Sequence, residues 1–139
     1  MTVTDRQAEG YEPCWDIDAK FGRQGQLLVV STIEAFINDQ VEVKTDAKCA
    51  HTGNLYVEYE CWRSGTWKKS GIATTTANTW AFVIGPAVLV LPTTFLRDVA
   101  LREWHKGRKG EEKNGSHPTK GALPRVSELV RACQPAGSA

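Results

Sequence analysis

Two short apolar runs, Trp80 to Ile84 (WAFVI) and Val88 to Leu91 (VLVL), do most to limit what this chain can become. Only Gly85, Pro86 and Ala87 stand between them. Apolar runs of this length, bounded by turn residues, read as buried strands with a tight connection. Pro92 closes the second run, and Thr93 or Thr94 is placed to cap a helix to about His105. Phe95, Leu96, Val99 and Leu101 would form its inner side. Buried strands followed at once by an amphipathic helix imply an α/β domain in which helices cover a sheet.

The rest of the chain supplies the remaining elements. Met1 to Pro13 is polar and aperiodic and reads as a flexible N-terminal arm. Asp16 to Asn38 reads as a helix, with Phe21, Leu28, Ile33, Phe36 and Ile37 roughly at helical spacing and Asp16 or Asp18 as its cap. Val41–Asp46 and Leu55–Trp62 read as strands joined by a loop containing Thr52-Gly53-Asn54. Arg63 to Ser70 is a polar excursion around a glycine turn, and Thr74 to Thr79 reads as a short helix. Lys106 to Gly121 is rich in glycine and charge, the composition of a mobile loop. Pro124 to Cys133 reads as a last helix capped by Ser127, and residues 134–139 as a disordered tail. The expected architecture is one α/β domain over residues 14–133, with a small mixed sheet flanked by helices.

The first pair of strands carries an unusual pattern. Glu42, Lys44, Asp46, Glu58 and Glu60 all fall at even positions. Side chains alternate faces along a strand, so an antiparallel hairpin would gather these charges, with Tyr56, on one side. Val41, Val43, Leu55, Val57 and Tyr59 would then face the core. Close carboxylates repel and are costly to bury unless neutralised, and a hard divalent cation such as Mg²⁺ takes such oxygens. The plainer reading is a solvated sheet face with cross-strand ion pairs, which antiparallel strands commonly have.

Composition narrows the function classes. With 41% hydrophobic and 24% charged residues the chain is of ordinary globular type, and a net charge of +1 does not by itself signal a nucleic-acid binder. Its four cysteines show no CxxC pair, which speaks against a zinc site, although Cys49 and His51 lie close in sequence. No basic and apolar leader is present, and the longest apolar run is far too short to span a bilayer. A cytoplasmic protein with reduced thiols is the resulting expectation.

Taken together, DIDAKFGRQGQ, VEVKTD, TGNLYVEYE, SGIATTTANTWAFVI, VLVLPTTFLRDV and KGALPRVSEL resemble the PD-(D/E)XK nuclease superfamily over most of the chain. The likeness is greater to its small phage-type members, whose relatives include Holliday-junction resolvases and restriction enzymes. It implies a restriction-endonuclease-like core and a Mg²⁺-dependent (or Mn²⁺-dependent) endonuclease acting on DNA, including branched DNA. The motif aligns in two ways. In one, Glu42-Val43-Lys44 is the (D/E)-x-K element and the preceding acid is Asp39 or Asp16. In the other, which we prefer, Asp46 is the first acid and Glu58-Tyr59-Glu60 stands for (D/E)-x-K, with Glu60 in place of lysine. Lys44 then supplies the missing positive charge. Gln26 stands where relatives often carry a first-helix glutamate.

The resemblance makes Asp46, Glu58 and Glu42 the implied metal ligands, and Lys44, Glu58, Glu60 and Asp46 the implied catalytic set. Arg63, Lys68, Lys69 and Ser70 follow the second strand, where they would contact flanking phosphates. Segment 102–125 holds seven Lys/Arg against three Glu, a local basic patch that includes Lys120. Trp62 and Trp80 are expected in or at the core, while Trp67 is free to stack on a base. Symmetric cutting of two strands would require a homodimer. The competing expectation is a non-catalytic nucleic-acid-binding or interaction module on the same fold.

Overall fold

The computed structural model describes residues 15–38, 40–113 and 115–133. The arm expected over residues 1–13 and the tail expected over 134–139 lie outside these, as do the side chains of Asp16 and Asp18. The chain divides into two compact units, Met1–Asp39 and Gln40–Ala139.

The first unit carries one helix, α1 (Trp15–Ile37), close to the expected span. Its Ser31 and Thr32 hydroxyls donate to the carbonyls of Leu27 and Leu28, both at 2.9 Å, so the polar groups of its β-branched stretch are satisfied locally. Leu27, Leu28, Ile33, Phe36 and Ile37 are all exposed. Gln26 is exposed as well. Among the described residues no helix is long and apolar enough to cross a membrane.

The second unit is α/β and holds two sheets where one was expected. Strands β1 (Val41–Thr45), β4 (Thr79–Ile84) and β5 (Ala87–Pro92) form a mixed three-stranded sheet in the order β1-β4-β5. Strands β2 (Val57–Arg63), β3 (Thr66–Lys69), β6 (Lys109–Glu112) and β7 (Thr119–Ala122) form a four-stranded antiparallel sheet in the order β3-β2-β7-β6. The apolar runs form strands as expected, with β4 and β5 paired antiparallel and α3 (Thr93–His105) directly after. Only β4 is buried at its centre: on β5 Val88 is exposed, Leu89 and Val90 are half-buried and Leu91 alone is buried. Leu96, Val99 and Ala100 of α3 are buried with Leu55, Val57, Ile72, Trp80, Phe82 and Leu129 in one core.

Four expectations are corrected. Strands β1 and β2 do not form a hairpin: β1 pairs in parallel with β4, and a short helix α2 (Cys49–Thr52) leads the chain into the other sheet. Segment 106–121 is not a loop throughout, because β6 and β7 pair across it. Two of its glycines, Gly110 and Gly121, are contact residues. A Cβ on Gly110 would press on Leu123 at 3.2 Å, and one on Gly121 would strike the Tyr56 ring at 2.8 Å. No helix forms at 74–79. A 3-10 turn (Gly71–Ala73) is held by Arg97 Nε donating to the Ile72 carbonyl at 3.0 Å, and β4 begins at Thr79. Finally, threonine and serine do not cap the later helices. Pro92 and Arg125 are the N-caps of α3 and of α4 (Val126–Ala132), while the Thr93 hydroxyl donates to the Ala77 carbonyl at 2.6 Å.

Candidate active site at the junction of the two sheets

On β1 the charged side chains of Glu42 and Lys44 share a sheet face with buried residues of β4 while staying about 40% exposed themselves. Glu42 and Lys44 are in register with Trp80 and Phe82 of β4, and neighbours in register share a sheet face. Trp80 and Phe82 are fully buried, whereas Val43, on the opposite side, is 54% exposed. A surface strand normally shows the reverse, with valine in and charge out. Lys44 Nζ lies 2.7 Å from a Glu42 carboxylate oxygen and 5.6 Å from the centroid of the Trp80 ring. The expectation that Val43 faces the core is therefore overturned. Leu55 and Val57 are buried as expected, and Val41 and Tyr59 are half-buried.

Asp46 ends β1 and is buried. Its Oδ1 accepts the backbone N–H of Lys48 at 3.2 Å and of Cys49 at 2.9 Å. Its Oδ2 accepts the N–H of Tyr56 at 2.9 Å. One carboxylate thus closes the turn into α2 and anchors the segment entering β2. Burial, followed by the charge of Asp46, pushes the Cys49 thiol upward. His51 is exposed while Cys49 is buried, so these two do not converge as a metal pair.

A bulge in β2 separates the two glutamates that spacing places together. Glu58 is opposite Gly121, but Glu60 is opposite Lys120, so two residues of β2 are matched by one of β7. Adjacent residues of β7 point to opposite faces, and therefore Glu58 and Glu60 do too. Glu58 borders both clefts described below, and Glu60 borders neither. On its own face Glu60 is in register with Lys69 on β3 and Lys120 on β7. Glu60 is thus a cross-strand charge neighbour of these two lysines.

The first cleft, about 440 Å³, is lined by Lys44, Asp46, Lys48, Tyr56, Glu58 and Glu112 among others. Lys48 and Glu112 form an ion pair at 2.6 Å. The Tyr56 hydroxyl pairs with Thr119 Oγ1 at 2.7 Å. Burial raises the Tyr56 phenol above its ordinary range, with the carboxylates of Glu58 and Glu112 adding to this and the Thr119 hydrogen bond opposing it. The second cleft, about 310 Å³, is lined by Glu42, Lys44, Glu58, Arg63, Lys69, Ser70 and Trp80 among others. Lys44 and Glu58 border both. Six of the expected site residues (Glu42, Lys44, Glu58, Arg63, Lys69 and Ser70) share the second cleft, and Asp46 joins Lys44 and Glu58 at the first.

Lys68 and Lys120 border neither cleft. Lys120 Nζ sits 4.0 Å from the centroid of the Trp67 ring, and Trp62 packs edge-on against Trp67 at 5.4 Å. Trp67 is thus partly engaged within the fold. Sequence reasoning does not single out Lys48, Glu112 and Trp80 as lining residues. Glu112 lies in the segment read as a loop, and Trp80 is expected in or at the core.

Asp46 and Glu58 both border the first cleft, and carboxylate oxygens are donors that Mg²⁺ takes. Asp46 keeps an unused lone pair on Oδ2, since a carboxylate oxygen has two, and Glu58 borders the same cleft. Such an ion is commonly held by one or two carboxylates with waters and substrate phosphate. Among the described residues no group of three or more His, Cys, Asp or Glu is close enough to form a protein cage for a metal. The chain matches no known family model, and no curated protein or solved structure is similar to it.

Proposed function

We propose that this protein is a metal-dependent phosphodiesterase of the restriction-endonuclease-like kind that cuts DNA, including branched DNA. The observation that carries the reading is the inverted strand β1, which turns Glu42 and Lys44 toward a cleft shared with Glu58 while its valine faces out. Asp46 and Glu58 would hold Mg²⁺, or Mn²⁺, and the ion would polarise the scissile phosphate and lower the pKa of a water. Lys44, between the two clefts, stabilises negative charge developing on the phosphate. Glu42 fixes the Lys44 ammonium in place. Arg63 and Lys69 hold flanking phosphates of the same strand. Two copies acting as a homodimer would cut two strands symmetrically.

Cleavage of branched and linear DNA with Mg²⁺, Mn²⁺ or EDTA tests this, comparing wild type with Lys44→Ala and Glu58→Gln. Cutting in EDTA, or full activity in both variants, would end the proposal. The second reading, a nucleic-acid-binding module without chemistry, draws on Asp46, whose three backbone hydrogen bonds already give it a structural task. Salt-sensitive DNA binding with no cutting under any metal would favour it.

A further inference from the structure

Ser70 Oγ and Trp80 Nε1 are buried without a hydrogen-bond partner among the described residues. Both residues line the second cleft. Buried polar groups are nearly always paired, because an unpaired one forfeits its hydration with no return. An indole N–H is a donor only, and a serine hydroxyl donates as well as accepts. The residues that carry these two orphans both line one cleft, and an acceptor entering it from outside the chain would satisfy them.

The charges of the cleft narrow its identity. Arg63 and Lys69 also line it, and neither has an ion-pair partner among the described residues. Lys44 is already balanced by Glu42. Glu58 lines the same cleft and also has no ion-pair partner among the described residues. Two unpaired cations thus stand against one carboxylate and the balance favours an anion, while an apolar ligand would leave the two donors unmet. A compact anion with several acceptor oxygens meets all four groups.

We propose that the second cleft is a phosphoryl-binding site, with the Ser70 hydroxyl and Trp80 N–H as its buried donors and Arg63 and Lys69 as its charge. It rests on the phosphodiesterase reading only in one respect, that the phosphoryl group held here flanks the bond being cut. Binding of phosphate itself does not depend on that reading.

Calorimetric titration of inorganic phosphate into the full chain, in metal-free buffer, tests the site. Wild type is expected to bind, with Ser70→Ala and Trp80→Phe each weaker by about ten-fold, the effect of one lost hydrogen bond to a charged acceptor. Glu60→Gln, outside the cleft, should bind like wild type. Ser70→Ala removes a hydroxyl that nothing in the fold uses, so it carries the test even if Trp80→Phe fails to fold. A second arm uses short oligonucleotides with and without a 5′-phosphate. Preference for the phosphorylated one, lost in Ser70→Ala, identifies a terminal phosphate. Equal binding of both, weakened in Ser70→Ala, identifies an internal one. No phosphate binding by wild type, or binding unchanged in Ser70→Ala, overturns the proposal. Phosphate binding that responds to Ser70→Ala in a protein that cuts no DNA would uphold this site and defeat the nuclease reading.

Discussion

Gly71 lies against the backbone of Glu58 so closely that a Cβ there would stand 2.8 Å from both the carbonyl carbon and the Cβ of Glu58. Its φ of 53° is also in the left-handed region, which L side chains avoid. The glutamate that borders both clefts is thereby positioned by a glycine thirteen residues later. Gly71→Ala is expected to destabilise the protein by about 2–4 kcal/mol, from the unfavourable φ and the forced shift of β2. Urea unfolding measures it, and a midpoint equal to wild type would show that the contact is not made.

Asp46 should separate structure from chemistry. Asp46→Ala leaves the N–H groups of Lys48, Cys49 and Tyr56 without their acceptor, at a cost of about 2–4 kcal/mol. Asp46→Asn keeps one acceptor oxygen and is expected to cost about 1 kcal/mol. If Asp46 also holds metal, the Asn variant will be folded yet will lose most of its Mg²⁺-dependent cutting. Denaturation and cleavage measured on both variants decide this.

The bulge makes a sharper forecast for the two glutamates of β2. Glu58→Gln is expected to reduce cleavage at least about 100-fold, the scale of losing a group that acts on the reacting phosphate. Glu60→Gln is expected to leave the rate within about two-fold, a change worth under 1 kcal/mol. Equal losses in single-turnover rate would place both on the same face and contradict the register with β7.

Alkaline pH should weaken the fold through two groups. Both the Cys49 thiol and the Tyr56 phenol are raised in the folded protein, chiefly by burial. Their neutral forms are therefore favoured by folding, and that contribution is complete below the ordinary values of about 8.5 for thiol and 10 for phenol. It is lost as pH climbs past those values and through the raised ones. Melting temperature followed from pH 7 upward should fall on this limb. Tyr56→Phe should flatten its upper part and Cys49→Ala its lower part.

The basic side chains should not contribute equally to DNA binding. Arg63 borders a cleft and has no ion-pair partner among the described residues, so Arg63→Ala should reduce the salt slope of binding by about one unit. Lys120 lies over Trp67, in register with Glu60 and Glu111, and Lys120→Ala should leave the slope nearly unchanged. Fluorescence anisotropy across a salt series distinguishes the two.

Local chemistry was well written in the sequence, and pairing was not. The runs at 80–84 and 88–91 and the helix after Pro92 are legible because apolar periodicity and turn residues act over a few positions. The partner of β1 was not, because a parallel strand is chosen across dozens of residues and Thr52-Gly53-Asn54 suits a hairpin turn equally well. Strands β6 and β7 were hidden since Glu111 and Lys120 resemble loop chemistry until their pairing across the sheet balances them. Lys44 and Glu58 still meet, with Asp46 at one cleft and Glu42 at the other, through the junction of two sheets and not across a hairpin.

The extra residue in β2 also bears on how kin of this protein would be found. An acidic pair two apart reads as a same-face motif, and a search built on that spacing would select chains whose second acid points into the cleft. In this chain the unit that keeps both glutamates on their proper sides is the bulge together with the pair. A relative that lost Tyr59 and carried two adjacent glutamates would present the same surfaces, whereas one that kept the spacing without the bulge would not.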